Sequence, residues 1–107
     1  EYLELLSETL PRVFDFDPDF VIYQAGVDAL ATDTLGRLSL TLDGLAARDE
    51  MVLSACVNHG KPFLITLGGG YSNPLENTAR AHANTYRTAL SLCAPLAFSI
   101  REEQPRQ

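Results

Sequence analysis

Two short, uninterrupted apolar runs place the strongest constraint on the fold of this chain. Residues 20–23 read Phe-Val-Ile-Tyr, and residues 63–67 read Phe-Leu-Ile-Thr-Leu. Runs of this length without polar alternation are typical of strands that are covered on both faces of a parallel sheet. The segment between them is long enough for a crossover helix. We therefore predict one βαβ unit with right-handed connectivity.

The helix between the two strands is predicted over residues 42–58. Thr41 is a suitable N-cap, and His59 followed by Gly60 closes the helix, with the glycine in the left-handed region. An apolar stripe is expected on one side and a solvated face on the other. The expected buried residues are Leu45, Met51, Val52 and Cys56, and the expected solvent-facing residues are Arg48, Asp49 and Glu50.

Further helices are predicted before the first strand and after the second. The first is expected to end near Pro11, because proline fixes φ and lacks an N–H. The last is expected to begin with Asn73 as N-cap and Pro74 in its first turn, and to be interrupted at Pro95. Its expected buried face comprises Ala79, Ala83, Tyr86 and Leu90.

These elements predict an α/β fold whose two strands form part of a larger parallel sheet, since two strands alone make a poor sheet. Glu1 already lies inside a helical pattern, with Leu3, Leu6 and Leu10 on one side. We therefore expect the chain to be part of a longer protein. Residues 1–100 are expected to belong to its domain, and residues 101–107 to form a polar tail.

The composition narrows the classes of partner. The formal net charge is −6, which argues against non-specific binding to nucleic acid or to an anionic membrane. The sequence contains no apolar run as long as a membrane span. Cys56 and Cys93 lie among apolar residues of predicted helices and are expected to be buried, reduced thiols. A cytoplasmic location is the expected default.

Candidate functional residues follow both predicted strands, where ligands bind in open α/β sheets. Asp28 lies just past the first strand, after Gly26, and is either a metal ligand, a general base or a carboxylate that caps its own loop. A catalytic zinc needs about three protein ligands, so Asp28 alone cannot hold one. His59 and His82 are both expected to be structural.

The second loop reads Gly68-Gly69-Gly70-Tyr71. Three glycines permit positive φ and a close approach to a ligand, and a tight turn or an anion cradle is also compatible with them. The loop matches neither G-x-G-x-x-G nor G-K-[ST], so a nucleotide motif is weakly supported. The Tyr71 phenol either donates a hydrogen bond to a developing oxyanion or packs beneath the loop.

Taken together, four segments resemble the histone deacetylase family. They are the strand and loop over residues 17–38, which contain Gly26-Val27-Asp28, and the Leu67-Gly68-Gly69-Gly70-Tyr71 run. The third is Asn77-Thr78-Ala79-Arg80, and the fourth is Gly44-Leu45-Ala46-Ala47-Arg48-Asp49, similar to a G-[LI]-x-x-R-D helix start of bacterial and class IV members. Several motifs in the family's order carry more weight than any one of them alone.

The resemblance implies the C-terminal part of the arginase/deacetylase fold, a three-layer parallel sheet with flanking helices. It also implies hydrolysis of N-acetyl amides, in acetyl-lysine, acetylpolyamine or a similar substrate, with Zn²⁺ or another divalent metal as cofactor. Asp28 matches a metal ligand and Tyr71 the catalytic tyrosine. Leu35 matches a position in the acyl-lysine channel, and Gly69 and Gly70 match substrate-binding backbone.

The family's general acid/base histidines and its D-x-H ligand pair belong to an N-terminal portion and do not occur in this sequence. We therefore expect the chain alone to be inactive and to require the upstream part of the domain. Two alternatives remain open: a non-catalytic α/β module that binds an anion at the glycine turn, and an inactive truncated deacetylase.

Overall fold

The computed structural model describes residues 1–27, 30–31, 40–70 and 72–103, with side chains described as far as Cys93. The elements in chain order are α1 (Tyr2–Phe14), β1 (Val21–Gln24), α2 (Leu42–Asn58), β2 (Phe63–Thr66) and α3 (Glu76–Glu103). The two strands pair in parallel. The predicted α/β class and the βαβ order are confirmed, whereas the larger three-layer sheet stays a prediction.

Helix α2 has the boundaries that its caps predict. The Thr41 hydroxyl accepts a hydrogen bond from the Gly44 amide at 2.9 Å, and Gly60 adopts a φ of 65° just past the helix end. Leu45, Val52 and Cys56 are buried as predicted. The predicted solvent-facing side was wrong at two of its three positions, because Arg48 is only 5% exposed and Asp49 is fully buried.

Two prolines do not end helices as predicted. Pro11 lies inside α1, where its carbonyl still accepts a hydrogen bond from the Asp15 amide at 3.0 Å. Helix α3 likewise continues through Pro95 to Glu103, so the predicted tail boundary at residue 101 falls within the helix. A proline removes one main-chain hydrogen bond, and a helix whose neighbouring bonds persist can continue past it.

The start and the buried face of α3 also differ from prediction. Asn73 and Pro74 precede the helix, which begins at Glu76 after tight hydrogen bonds such as Asn77 N–H to the Pro74 carbonyl, 3.1 Å. Among the α3 side chains described as far as Cys93, the buried ones are Ala81 and Thr85. This face contains small and polar residues, whereas the prediction had followed the larger apolar ones. Of the predicted buried residues, Ala79, Tyr86 and Leu90 are exposed and Ala83 is half-buried.

The two faces of the sheet differ in their cover. Tyr23 and Ile65 are half-buried on the face toward α2. Their neighbours Ile22 and Leu64, opposite each other in the register, are 66% and 50% exposed on the other face. The prediction of strands covered on both faces is therefore met on one face only within the described residues.

A small apolar core lies next to the carboxyl ends of the strands. It joins Val27 and Leu30 from the segment after β1 to Leu45 of α2 and Ala81 of α3. The core therefore fixes α2 and α3 beneath the loops that follow the strands. Among the helices that the structure describes, none has the length and apolarity needed to cross a membrane.

Candidate functional site

The loops that follow β1 and β2 run side by side. The Ala25 amide donates to the Thr66 carbonyl at 2.9 Å, and the Val27 amide donates to the Gly68 carbonyl at 3.2 Å. Parallel pairing thus continues past the ends of both strands. The predicted placement of both loops at one edge of the sheet is confirmed as far as Val27 and Gly70.

The glycine loop packs tightly against the protein's own side chains. Gly69 and Gly70 have φ values of 67° and 113°, in the region that favours glycine. A Cβ atom on Gly70 would collide with Cγ2 of Thr78, and would lie 3.3 Å from Cγ2 of Val27 and 3.5 Å from Nε2 of His82. Gly70 is therefore required by the packing beneath the loop.

Thr78 of α3 holds the loop on both sides of position 71. Its methyl group lies beneath Gly70, and its Oγ1 accepts a hydrogen bond from the Ser72 amide at 3.2 Å. The asparagine-threonine pair of the N-T-A-R motif thus opens a helix that supports the glycine loop.

Of the predicted site residues, Gly69 and Gly70 are described, whereas Asp28, Leu35 and Tyr71 lie outside the described residues. Within the described ranges, no group of three or more His, Cys, Asp or Glu side chains could hold a metal ion. These residues by themselves therefore do not fit a zinc site. Their contribution is to position the two loops.

A buried polar network lies directly beneath the β1 loop. The Asp49 carboxylate is its centre, and it accepts hydrogen bonds from the Tyr23 hydroxyl at 2.5 Å and from the Thr85 hydroxyl at 2.5 Å. Arg48 donates to the same carboxylate through Nε at 3.2 Å and Nη2 at 2.9 Å. The network joins β1, α2 and α3, and a buried charge is tolerated there because its polar atoms are paired.

Arg48 extends this network to the loop itself. Its Nη1 donates to the Gly26 carbonyl at 2.6 Å, and its guanidinium carbon lies 5.6 Å from the Tyr23 ring centroid. Burial opposes the charge on Arg48, but Tyr23 and Asp49 outweigh it, so the pKa of Arg48 is raised. Burial also raises the pKa of the Tyr23 phenol, and the hydrogen bond to Asp49 raises it further. Both side chains keep their protons at neutral pH.

The sequence interpretation missed this network, although a signal for it was present. Asp49 follows Leu45 by four residues and precedes Val52 by three, so it falls in phase with the predicted apolar stripe. The interpretation assigned charged residues to the solvated face by type. The position of Asp49 on the helix, however, predicted its burial.

The histidines and cysteines have different surroundings, and the structural role predicted for the two histidines stays a prediction. His59 caps α2 and stacks on Phe14 of α1, with ring centroids 4.2 Å apart. His82 is half-buried, and within the described part of the chain its Nδ1 has no hydrogen-bond partner. Both cysteines are free thiols; Cys56 is buried, which raises its pKa, and Cys93 is half-buried.

A parallel βαβ unit with two adjoining loops beyond its strands defines an α/β protein, and proteins of this class bind ligands at that end of the sheet. The model of the histone deacetylase domain matches residues 1–89. The chain belongs to the histone deacetylase family.

Individual relatives agree with this assignment. An uncharacterized protein of Picosynechococcus is 37% identical over 89 residues, which are 82% of this chain and 30% of the relative. Histone deacetylase 2 of Arabidopsis thaliana is 37% identical over 79% of this chain and 21% of the relative. Human histone deacetylase 1 is 36% identical over 85% of this chain and 17% of the relative. The chain thus spans less than a third of the length of these relatives.

Proposed function

We propose that this chain is the part of a zinc-dependent deacetylase that supplies one metal ligand and the oxyanion-stabilising tyrosine. The substrate would be an N-acetyl amide, in a protein lysine, an acetylpolyamine or a similar small molecule. Membership of the histone deacetylase family supports the reaction class. We further propose a cytoplasmic protein with neither a nucleic acid nor a membrane as direct partner.

The observation that carries the proposal is the hydrogen bond between the Val27 amide and the Gly68 carbonyl. It joins the two loops one residue before Asp28 and three residues before Tyr71. Two loops that leave adjacent parallel strands open toward one crevice. We therefore assign Asp28 and Tyr71 to a single site.

In this site the Tyr71 phenol would donate a hydrogen bond to the oxyanion that develops from the acetyl carbonyl. A phenol is suited to this role because it is protonated at neutral pH, with an ordinary pKa of about 10. Thr78 would hold position 71 through its contacts with Gly70 and Ser72. Gly69 and Gly70 would offer backbone to the substrate, and Leu35 would line the channel for the acyl-lysine.

A bound zinc would polarise the same carbonyl and activate the attacking water. Asp28 would provide one of its ligands. Its other ligands, and the general acid/base histidines, would come from the upstream part of the same domain, because this sequence lacks the motifs that carry them.

The test is hydrolysis of an acetyl-lysine reporter by the intact protein that contains this chain. We expect Tyr71→Phe to lower kcat about 100-fold to 1,000-fold, as for the loss of one oxyanion donor. Asp28→Ala should abolish both activity and stoichiometric zinc binding. Asp43→Ala, an exposed aspartate in the first turn of α2, serves as the control and should retain both.

Full activity in the Tyr71→Phe protein would contradict the proposed role of the tyrosine. The alternative of an anion-binding module predicts a different result. Phosphate would then raise the melting temperature, and the increase would survive replacement of both Asp28 and Tyr71.

A further inference from the structure

We propose that Arg48 is a positioning residue that fixes the orientation of the peptide group between Gly26 and Val27. The inference rests on the proposed function for its consequence, since this peptide group directly precedes the proposed metal ligand Asp28. Its structural basis is independent of that function and lies in the contacts of α2 with the β1 loop.

The peptide group between Gly26 and Val27 is held at both ends. Its carbonyl oxygen accepts a hydrogen bond from Nη1 of Arg48 at 2.6 Å. Its N–H donates to the Gly68 carbonyl at 3.2 Å. One bond anchors the peptide to helix α2, and the other anchors it to the glycine loop.

Glycine makes this anchoring necessary. Residue 26 has no Cβ, so its backbone has access to conformations that other residues avoid, including a rotated peptide plane. A rotation of this plane would break the hydrogen bond from the Val27 amide to the Gly68 carbonyl. The bond from Arg48 opposes that rotation because it holds the carbonyl toward α2.

The side chain at position 48 is suited to this task by its shape. A guanidinium has five donors in a rigid plane, so it can bind a carboxylate with one edge and a carbonyl with another. Arg48 uses Nε and Nη2 on Asp49 and keeps Nη1 for Gly26. A lysine has a single ammonium and cannot reproduce both contacts in this geometry.

Burial gives a second reason to assign a positioning role. Arg48 is 5% exposed and Asp49 is fully buried. Buried ion pairs of this kind are often replaceable by apolar residues without loss of stability. Stability alone therefore does not explain why Arg48 and Asp49 are buried as an ion pair. Orientation of the Gly26 carbonyl explains it better.

The experiment compares Arg48→Met, Arg48→Lys and Thr85→Val in the intact protein. Thr85→Val is the matched control, because it removes a hydrogen bond to the far oxygen of Asp49 and leaves the contact of Arg48 with Gly26 in place. Two quantities are measured well below the melting temperature: hydrogen exchange of the Val27 amide, and kcat and KM for an acetyl-lysine reporter.

We expect Arg48→Met to accelerate exchange of the Val27 amide about tenfold or more, because the peptide loses its anchor. We expect kcat to fall about tenfold or more with little change in KM, since a small displacement of a reacting group is costly. Arg48→Lys should show a smaller change in both. Thr85→Val should lower the melting temperature and leave both quantities unchanged.

Equal exchange of the Val27 amide in Arg48→Met, Thr85→Val and the wild type would overturn the inference. If Arg48→Met does not fold, the Arg48→Lys protein decides the question by the same comparison with Thr85→Val. If the wild-type protein does not hydrolyse the acetyl-lysine reporter, the proposed function is wrong. Faster exchange of the Val27 amide in the Arg48 variants would still show that Arg48 fixes the peptide group between Gly26 and Val27.

Discussion

The two faces of the β-sheet reverse the usual distribution of polar and apolar side chains. On the face toward α2, the sheet covers a network centred on Asp49, whose side chain is fully buried. On the other face, Ile22 is 66% exposed and Leu64 is 50% exposed. Charge is buried on one side of two strands, and apolar surface is open on the other.

The two faces differ in whether this chain itself completes their packing. The covered face is completed by residues of this chain, since Tyr23, Arg48, Asp49 and Thr85 satisfy one another. The open face has the apolar pattern of a covered strand, and the longer relatives have two-thirds or more of their length outside the matched segment. The predicted larger parallel sheet would place other parts of the domain over this face.

The largest expected effect is on the covered face, from Asp49→Ala. The substitution would leave Arg48 buried without its counter-charge, and Tyr23 and Thr85 without their acceptor. We expect a loss of about 3–5 kcal/mol in the free energy of unfolding, measured by urea denaturation. The adjacent exposed residue gives the control, since Glu50→Ala should change stability by less than about 0.5 kcal/mol. Equal effects of the two substitutions would refute the buried network.

A second effect should arise where the covered face meets the glycine loop. Gly70→Ala would place a methyl group against Thr78 at a φ of 113°. We expect a destabilisation of about 1–3 kcal/mol from backbone strain, with a further loss from the collision. Thermal denaturation measures this loss. We also expect kcat for the acetyl-lysine reporter to fall in the intact protein, because Gly70 adjoins the proposed catalytic residue Tyr71.

Gly60→Ala separates strain from collision. Gly60 also has a positive φ, 65°, but nothing lies within 4 Å of the added methyl group. We expect a cost of about 1–2 kcal/mol and unchanged kcat. If Gly60→Ala reduced kcat as much as Gly70→Ala, the packing of Thr78 beneath the glycine loop would be irrelevant to the site.

The sequence predicted the elements of the fold more accurately than their faces. The strands, the caps at Thr41 and Gly60, and the juxtaposed loops followed from local rules, because apolar runs, caps and glycines act over a few residues. The buried state of Arg48 did not follow, since it depends on a carbonyl 22 residues away. The continuation of α1 past Pro11 and of α3 past Pro95 also did not follow, because it depends on the neighbouring main-chain hydrogen bonds and not on the proline alone.

The same limit applies to the candidate site. The motifs selected the two loops, and the described residues join those loops through Val27 and Gly68. They did not select Thr78 as a support for the glycine loop, although it lies in the N-T-A-R motif. A motif read along the chain does not state which of its side chains turns inward.

On the open face, Ile22→Thr tests whether the rest of the domain provides cover. Threonine keeps the β-branched shape, so the strand preference is little changed. In the intact protein we expect a loss of about 1–3 kcal/mol, because a covered site would bury an unpaired hydroxyl. Ile22→Val is the control and should cost about 0.5–1.5 kcal/mol. A change below about 0.5 kcal/mol in both variants would show by urea denaturation that this face stays open.

The smallest effect is expected near the amino ends of the two strands, where Lys61 Nζ lies 2.6 Å from Asp17 Oδ1. The hydrogen bond and charge of Lys61 lower the pKa of Asp17 below its ordinary value of 3.8. A lowered carboxyl pKa stabilises the folded state above that ordinary value, and the contribution disappears as the pH falls through the lowered pKa. Asp17→Asn should therefore lower the melting temperature slightly at neutral pH and not in acid. Asparagine is chosen because it tolerates the observed φ of 49°.

The control for this substitution is Asp19→Asn, at an exposed aspartate two residues away. Because the Asp17 side chain is 87% exposed, added salt should reduce the difference, and a difference that persisted in acid or in high salt would contradict an ionic origin.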